Sequence, residues 1–234
     1  MNTIAMTVSS YSHRLDYLRQ TLDSWKMVCQ LDRWTFRFFV EPGEACQESI
    51  ELINRFICTS ELKNSNVWQN DERKGVLENP WNALEESFQD SDFVVLVEED
   101  ILVSFDILEY MDRWRKYYKD DPSVLAICAS SFWKSGDPDI TYLAQDFCPL
   151  IWGTWKDRWE NVLCDTWDLD YSTGNPDGSE SGWDWHIRRR LLPERQMRCA
   201  HPQVARALHI GRYGVHMRPE DFLASQAPSF RRCG

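Results

Sequence analysis

The chain has 234 residues, 43% hydrophobic and 27% charged, with a net charge of −11, which suits a globular chain long enough to bury a real core. It holds no long apolar segment and no basic stretch leading into an apolar run, so neither a transmembrane helix nor a secretory signal peptide is expected, and a cytoplasmic location is. The eight cysteines include no CxxC pair, which argues against a zinc knuckle or a compact disulfide framework and fits free thiols in a reducing compartment.

Residues 3–9, small and β-branched, read as a first strand. Leu15, Leu18, Leu22 and Trp25 then recur at spacings of three and four, the mark of a helix with one apolar face. Residues 34–41 read as a second strand, stopped by Pro42-Gly43. Residues 48–57 have helical spacing, 64–70 a short strand, and 79–88 a helix with Pro80 near its first turn. The next strand climbs from Phe93 through Val97 into three consecutive acids, Glu98, Glu99 and Asp100. A helix over 104–122, ended by Asp121-Pro122, and a strand over 123–131 follow. Strands alternating with helices predict an α/β fold with a mixed, mostly parallel sheet flanked by helices. In such sheets ligands bind at the carboxyl ends of the strands, which puts the acids at a ligand edge.

Beyond Pro149 the composition changes. Trp152, Trp155, Trp159, Trp167, Trp183 and Trp185 crowd together, and 170–182 is a polar, glycine-containing loop. Twelve tryptophans suit either an aromatic core or a surface that stacks on sugars. From His186 to the end there are ten arginines, no lysine and three acids. An acidic body with an arginine-rich tail does not look like a general nucleic-acid binder, but arginine reads phosphate bidentately.

Three adjacent carboxylates at a strand end can be a solvated terminus, a general acid/base pair with split pKa values, or a divalent-cation site. The third explains why the acids are tolerated together, because Mg²⁺ or Mn²⁺ is held by one or two carboxylates plus ligand phosphates and water.

The stretches VVLVEEDILVSFDILEYM, DPSVLAICASSFWKSG, YLAQDFCPLIWGTWKDRW, GWDWHIRRR and CAHPQVARALHIGRYGVH occur in that order. Together they resemble the N-acetylglucosaminyltransferase I family, which includes the protein O-mannose N-acetylglucosaminyltransferase. The resemblance runs with gaps from about residue 3 to 222 and implies a Rossmann-like GT-A fold and a UDP-sugar donor. It also implies an Mn²⁺ (or Mg²⁺) cofactor and inverting transfer of a hexosyl or N-acetylhexosaminyl group. It makes Asp100 the direct metal ligand and gives Glu98 and Glu99 supporting places around ribose and metal. The family's middle acid is Asp, and this chain has Glu99 there. Arg14 matches the basic residue that holds the diphosphate, Glu41 falls near a uracil-contacting acid, and Arg212 in HIGRYG suits a loop closing over phosphate. His209 is a candidate second metal ligand, and Arg73 and Asn82 are candidate donor contacts. Trp152, Trp183 and Trp185 are expected on the acceptor side.

Asp184, in GWDW, matches the family's catalytic base. Its pattern alone fits a helix N-cap as well, but inverting transfer needs one carboxylate to take the acceptor's proton. The whole of 1–234 is read as one catalytic domain, with 1–103 holding the donor and 104–234 the acceptor, base and closing loop. It looks like a bare catalytic domain of bacterial or viral origin. The acceptor hydroxyl is open among glycan, small molecule, protein and hydroxylated DNA base. Two other readings remain: a sugar-nucleotide nucleotidyltransferase, disfavoured because 7–18 has no glycine, and a non-catalytic sugar- or metal-binding module.

Overall fold

The computed structural model describes residues 2–131, 136–174, 180–212, 222 and 230. Its strands are β1 (Asn2–Val8), β2 (Thr35–Val40), β3 (Ser65–Gln69), β4 (Phe93–Glu98), β5 (Ile101–Val103), β6 (Val124–Cys128), β7 (Thr141–Ala144), β8 (Ile151–Trp155), β9 (Arg198–Pro202) and β10 (Ala207–His209). Its helices are α1 (Leu15–Lys26), α2 (Cys46–Thr59), α3 (Gly75–Phe88), α4 (Ile107–Tyr117), α5 (Lys156–Arg158), α6 (Trp183–His186) and α7 (Leu192–Arg195), with a wider π turn at Ile187–Leu191 joining the last two. The α/β architecture is as expected.

Eight strands form one sheet in the order β3-β2-β1-β4-β8-β6-β9-β7. β1 to β4 run parallel, whereas β8 is antiparallel to both β4 and β6, and β7 is antiparallel to β9. The chain moves outward from β1 to β3 and then returns to the other side of β1. That reversal sets a topological switch point at the carboxyl ends of β1 and β4, the place where the ligand crevice of open α/β sheets forms. The acids leave from the end of β4, and Arg14 lies in the turn of 3₁₀ helix after β1.

Period-two alternation explains the two cores. Ile4, Met6 and Val8, with Phe93, Val95 and Val97, point to the face that also buries Trp25 and Ile53 of α1 and α2. Ala5, Val94 and Leu96 point to the other face, where Leu84 and Phe88 of α3 meet Trp152, Trp159 and Trp183. Each fully buried large apolar side chain contributes about 1.5–3 kcal/mol.

Two helices depart from the sequence expectation. The helix expected over 104–122 is confined to Ile107–Tyr117, because Ser104 bonds Asp106 across a turn before it (2.7 Å). The helix expected from residue 79 starts at Gly75, which puts Pro80 inside it. A tertiary contact makes the earlier start possible. The Glu41 carboxylate, at the end of β2, accepts the backbone N–H groups of Lys74 (2.9 Å) and Gly75 (3.1 Å), and so caps α3 from outside.

Pro80 has no N–H, so the Val76 carbonyl one turn earlier loses its helical donor. The indole N–H of Trp183 supplies it instead (3.2 Å). Removing that indole N–H by Trp183→Phe should destabilise the protein by about 0.5–1.5 kcal/mol, the net worth of a part-buried hydrogen bond. Adding Pro80→Ala to that variant restores a backbone N–H and should recover part of the loss, as read from denaturant midpoints. A double variant no more stable than Trp183→Phe alone would refute the pairing.

Candidate active site

β5 follows the acids directly and pairs antiparallel with β10, so that His209 faces Ile101. This pairing brings a residue from the far end of the chain onto Asp100: His209 Nε2 lies 3.1 Å from Asp100 Oδ2. From the other side Arg14 donates to the same oxygen through Nη2 (2.5 Å) and to Glu99 Oε1 through Nε (2.5 Å). Ser9 donates its hydroxyl to Glu99 Oε1, and Thr21 of α1 donates to the Glu99 carbonyl (2.7 Å). Glu99 and Asp100 are buried, and Arg14 is nearly so.

The electrostatics follow from this packing. Burial acts to lower the Arg14 pKa, but Glu99 and Asp100 outweigh it and hold the guanidinium above its ordinary value. Burial acts to raise Asp100, but His209 and Arg14 outweigh it and hold that carboxyl below the usual carboxylate range. Among the described residues no hydrogen bond or ion pair reaches the Glu98 carboxyl, and the charge of Arg14 does not offset what surrounds it. Burial first, then the charges of Asp100 and Glu99, push it up to about 8, with Asp184 adding to the rise. The charge of Asp184 therefore reaches the acid cluster, so the carboxylates at 98 and 184 share one electrostatic environment.

A sign follows for the metal-free protein. The folded state holds the Glu98 proton more tightly than the unfolded chain does. The stability this contributes is complete below about pH 4.5 and is lost as pH rises through about 8. Melting temperatures taken in chelator across that window should fall more steeply for wild type than for Glu98→Gln. Parallel curves would remove Glu98 as the titrating group.

The donor set has room for a hard cation. Asp100 Oδ2 is taken by Arg14 and His209, whereas Oδ1 is buried without a hydrogen-bond partner among the described residues. One carboxylate oxygen without a partner among the described residues, on a carboxylate whose other oxygen meets the His209 ring, fits an ion whose remaining ligands are phosphate and water. No group of three or more His, Cys, Asp or Glu side chains among the described residues converges as a self-sufficient metal cage.

Gly211 packs against the other oxygen of Asp100, the one shared by Arg14 and His209. A Cβ there would lie far inside van der Waals distance of Asp100 Oδ2 and 2.8 Å from His209 Nε2. Arg212, next along, is exposed, and the later part of HIGRYG (213–214) lies outside the described residues.

Asp184 is the second residue of α6. The cap position belongs to Gly182, whose φ of +95° suits glycine alone. The Asp184 side chain is half-buried and is not an N-cap.

The remaining sequence-predicted residues divide. Both Glu41 oxygens are engaged by the chain itself, Oε1 by the Asn70 side chain (2.8 Å) and Oε2 by the start of α3. Trp152 is fully buried and Trp183 is 5% exposed, so both rings belong to the core rather than to an open stacking surface. Trp185 is half-buried, with Arg188 and Arg189 lying 5.0 and 5.2 Å from its ring. Arg73 lies over the Tyr11 ring at 4.4 Å. Arg188 pairs with Asp146 (2.5 Å), Arg189 with Glu180 (2.5 Å) and Arg190 with Glu194 (3.1 Å), so this arginine run is neutralised locally.

Sequence reasoning missed Ser9, Thr21 and the Val76–Pro80–Trp183 link, and it read Gly211 only as a loop glycine beside Arg212, not as a residue packed on Asp100. A proline inside a helical pattern was the only visible signal for the link, and an unusually polar Thr21 on the apolar face of α1 the signal for its bond to Glu99.

No protein-family model matches the chain. Among solved structures it is similar to S. aureus TarS residues 1–349, with a TM-score of 0.58 at 9% identity over 91% of this chain and 61% of that one. It is also similar to the mannosyltransferase PcManGT from Pyrobaculum calidifontis, solved with GDP-Man and Mn²⁺ (TM-score 0.51, 14% identity, 80% of this chain and 50% of that one). A third is a protein from Desulfovibrio desulfuricans G20 described as a nucleotide-diphospho-sugar transferase (TM-score 0.51, 15% identity, 86% and 78%). The chain thus spans about half to three-fifths of the length of the first two. At these identities the likeness carries the fold alone, and the chain shares the α/β, Rossmann-like GT-A architecture of these structures.

Proposed function

We propose that the protein is a metal-dependent, inverting glycosyltransferase that moves a sugar from a nucleotide diphosphate to an acceptor hydroxyl, with UDP-sugar as donor. The observation that carries this is the meeting of Arg14, Glu99, Asp100 and His209 at the β1/β4 switch point, with the charge of Asp184 reaching the same cluster. Asp100, through Oδ1, and His209 beside it would hold the ion. A bound divalent ion supplies charge that stabilises the departing diphosphate. Arg14 and Arg212 supply further positive charge for that diphosphate, Arg14 from within the cluster and Arg212 from its open side.

Asp184 accepts the proton of the acceptor hydroxyl as that oxygen bonds to the anomeric carbon. The bond from that carbon to the diphosphate oxygen breaks on the opposite side, so configuration inverts. The half 1–103 carries the donor seat, and 104–234 carries the base and the acceptor side.

The engagement of Glu41 by the chain itself leaves the base preference to other groups, and PcManGT is described with GDP-Man. The deciding experiment is therefore a nucleoside-diphosphate-release screen with Mn²⁺ over several UDP-sugars and GDP-mannose, with and without candidate hydroxyl acceptors. The expected result is release from one UDP-sugar that is abolished by chelator, with a product of inverted anomeric configuration by proton NMR. Retained configuration would remove Asp184 as base. Pyrophosphate release from UTP and a sugar 1-phosphate, with no transfer from any sugar nucleotide, would favour the nucleotidyltransferase.

A further inference from the structure

Outside the acid cluster, a cavity of about 290 Å³ lies between α3 and the segment at 167–169, lined by Lys74, Glu78, Trp81, Asn82, Trp167 and Leu169. Glu78 lies four residues after Lys74, the residue that caps α3, and three and four before Trp81 and Asn82, so each of them neighbours Glu78 on the helix surface. The cavity ends a ladder of indoles. Trp152 packs on Trp183 (6.0 Å), Trp183 stacks on Trp167 (4.7 Å, 14° between planes), Trp167 meets Trp159 edge-on (5.7 Å), and Trp159 meets Trp81 (6.2 Å). Trp152, Trp159 and Trp183 are core, whereas Trp81 and Trp167 are only half-buried, and both line the cavity.

We infer that this cavity is a subsite for one pyranose ring of a neutral acceptor glycan. This rests on the glycosyltransferase reading above. Two indoles offer apolar faces to the C–H face of a sugar ring. The Asn82 amide, the Glu78 carboxylate and the Lys74 ammonium offer both donors and acceptors to vicinal hydroxyls. Lys74 and Glu78 balance in charge, which suits a neutral ring better than a phosphate. The volume lies at the lower end for small-molecule pockets, about 300 Å³, and suits one ring rather than a whole nucleotide.

The cavity is also tied to the proposed base. Trp167 stacks on Trp183, the residue before Asp184, and Trp183 is bonded to Val76 of the helix that forms the cavity's other wall. A glycan seated there lies against α3 and Trp167, which bond to and stack on Trp183, the neighbour of Asp184.

The test is a printed array of neutral oligosaccharides, followed by fluorescence titration of the free sugars that bind, with UDP and Mn²⁺ titrated in parallel. Wild type should bind at least one glycan class without donor. Trp81→Ala should weaken that binding about tenfold or more, with UDP affinity unchanged. Because Trp81 also packs on Trp159, Glu78→Ala, at an exposed position, is the second variant and should weaken the glycan alone. Binding of no neutral saccharide, or loss of UDP affinity instead of glycan affinity in both variants, would overturn the inference; the second result would make the cavity a nucleobase pocket. Glycan binding lost in both variants of a protein that transfers from no sugar nucleotide would keep the subsite and remove the glycosyltransferase. Transfer with an unchanged acceptor KM in both variants would do the reverse.

Discussion

Asp184→Asn should lower transfer by about 10²–10⁴-fold, the range set by loss of a positioned general base. The change keeps the shape of the side chain and removes its ability to take a proton. Asp184 is not the cap of α6, because Gly182 holds that position, so the fold should tolerate the amide. UDP and Mn²⁺ affinities should stay at wild-type values, since Asp100, Arg14 and His209 form their cluster without it. A second readout does not depend on activity. Asp184 is among the charges that push Glu98 up to about 8, so the amide should bring the Glu98 pKa down. Carbon-detected NMR of the glutamate carboxyls would follow this directly. Full activity in Asp184→Asn would end the assignment of Asp184 as base. An unmoved Glu98 titration would separate residue 184 from the acid cluster altogether.

Gly211→Ala should cost the Mn²⁺ site about 10–100-fold in affinity, corresponding to the roughly 1–3 kcal/mol of forcing a methyl into packed structure. The added methyl would overlap Asp100 Oδ2 and crowd His209 Nε2 at 2.8 Å. Either the 210–212 backbone lifts away or Asp100 turns, and both outcomes separate Asp100 from His209. The β10–β5 ladder, which ends at His209, should persist, so the loss should be local. Calorimetric Mn²⁺ titration checks this, with melting temperature as the control. Wild-type metal affinity in Gly211→Ala would show that holding the ion does not depend on the pairing of Asp100 Oδ2 with His209.

Much of the sheet was legible because its strands carry their own signal. β1 and β4 alternate side chains between two buried faces, and β2 ends at Val40, two residues before Pro42-Gly43. The place of the three acids at the carboxyl end of a strand was legible for a similar reason, since carboxylates that follow a buried apolar run must find a partner or water. The start of α3 was not legible. It depends on Glu41, more than thirty residues away, for two of its first hydrogen bonds. The aromatic cluster was legible as a crowd of tryptophans, but not as a ladder with three members inside and two at a cavity.

The sequence by itself determined the α/β class, the carboxyl-edge position of Glu98, Glu99 and Asp100, and the residue types a cation and a diphosphate would need. Those are local properties, set by side-chain period, turn residues and charge spacing along the chain. Only the tertiary structure decided which acids are equivalent and which are not. Arg14 and His209 reach Asp100 across 86 and 109 residues, and they hold it ionised, whereas Glu98 is left to burial and like charge and holds its proton up to about pH 8. The same tertiary pairing withdrew Trp152 and Trp183 into the core and turned Trp81 and Trp167 toward open space. The physical reason is common to both. Burial and partnership belong to the packed chain, and they decide whether an identical residue type serves chemistry or holds the fold.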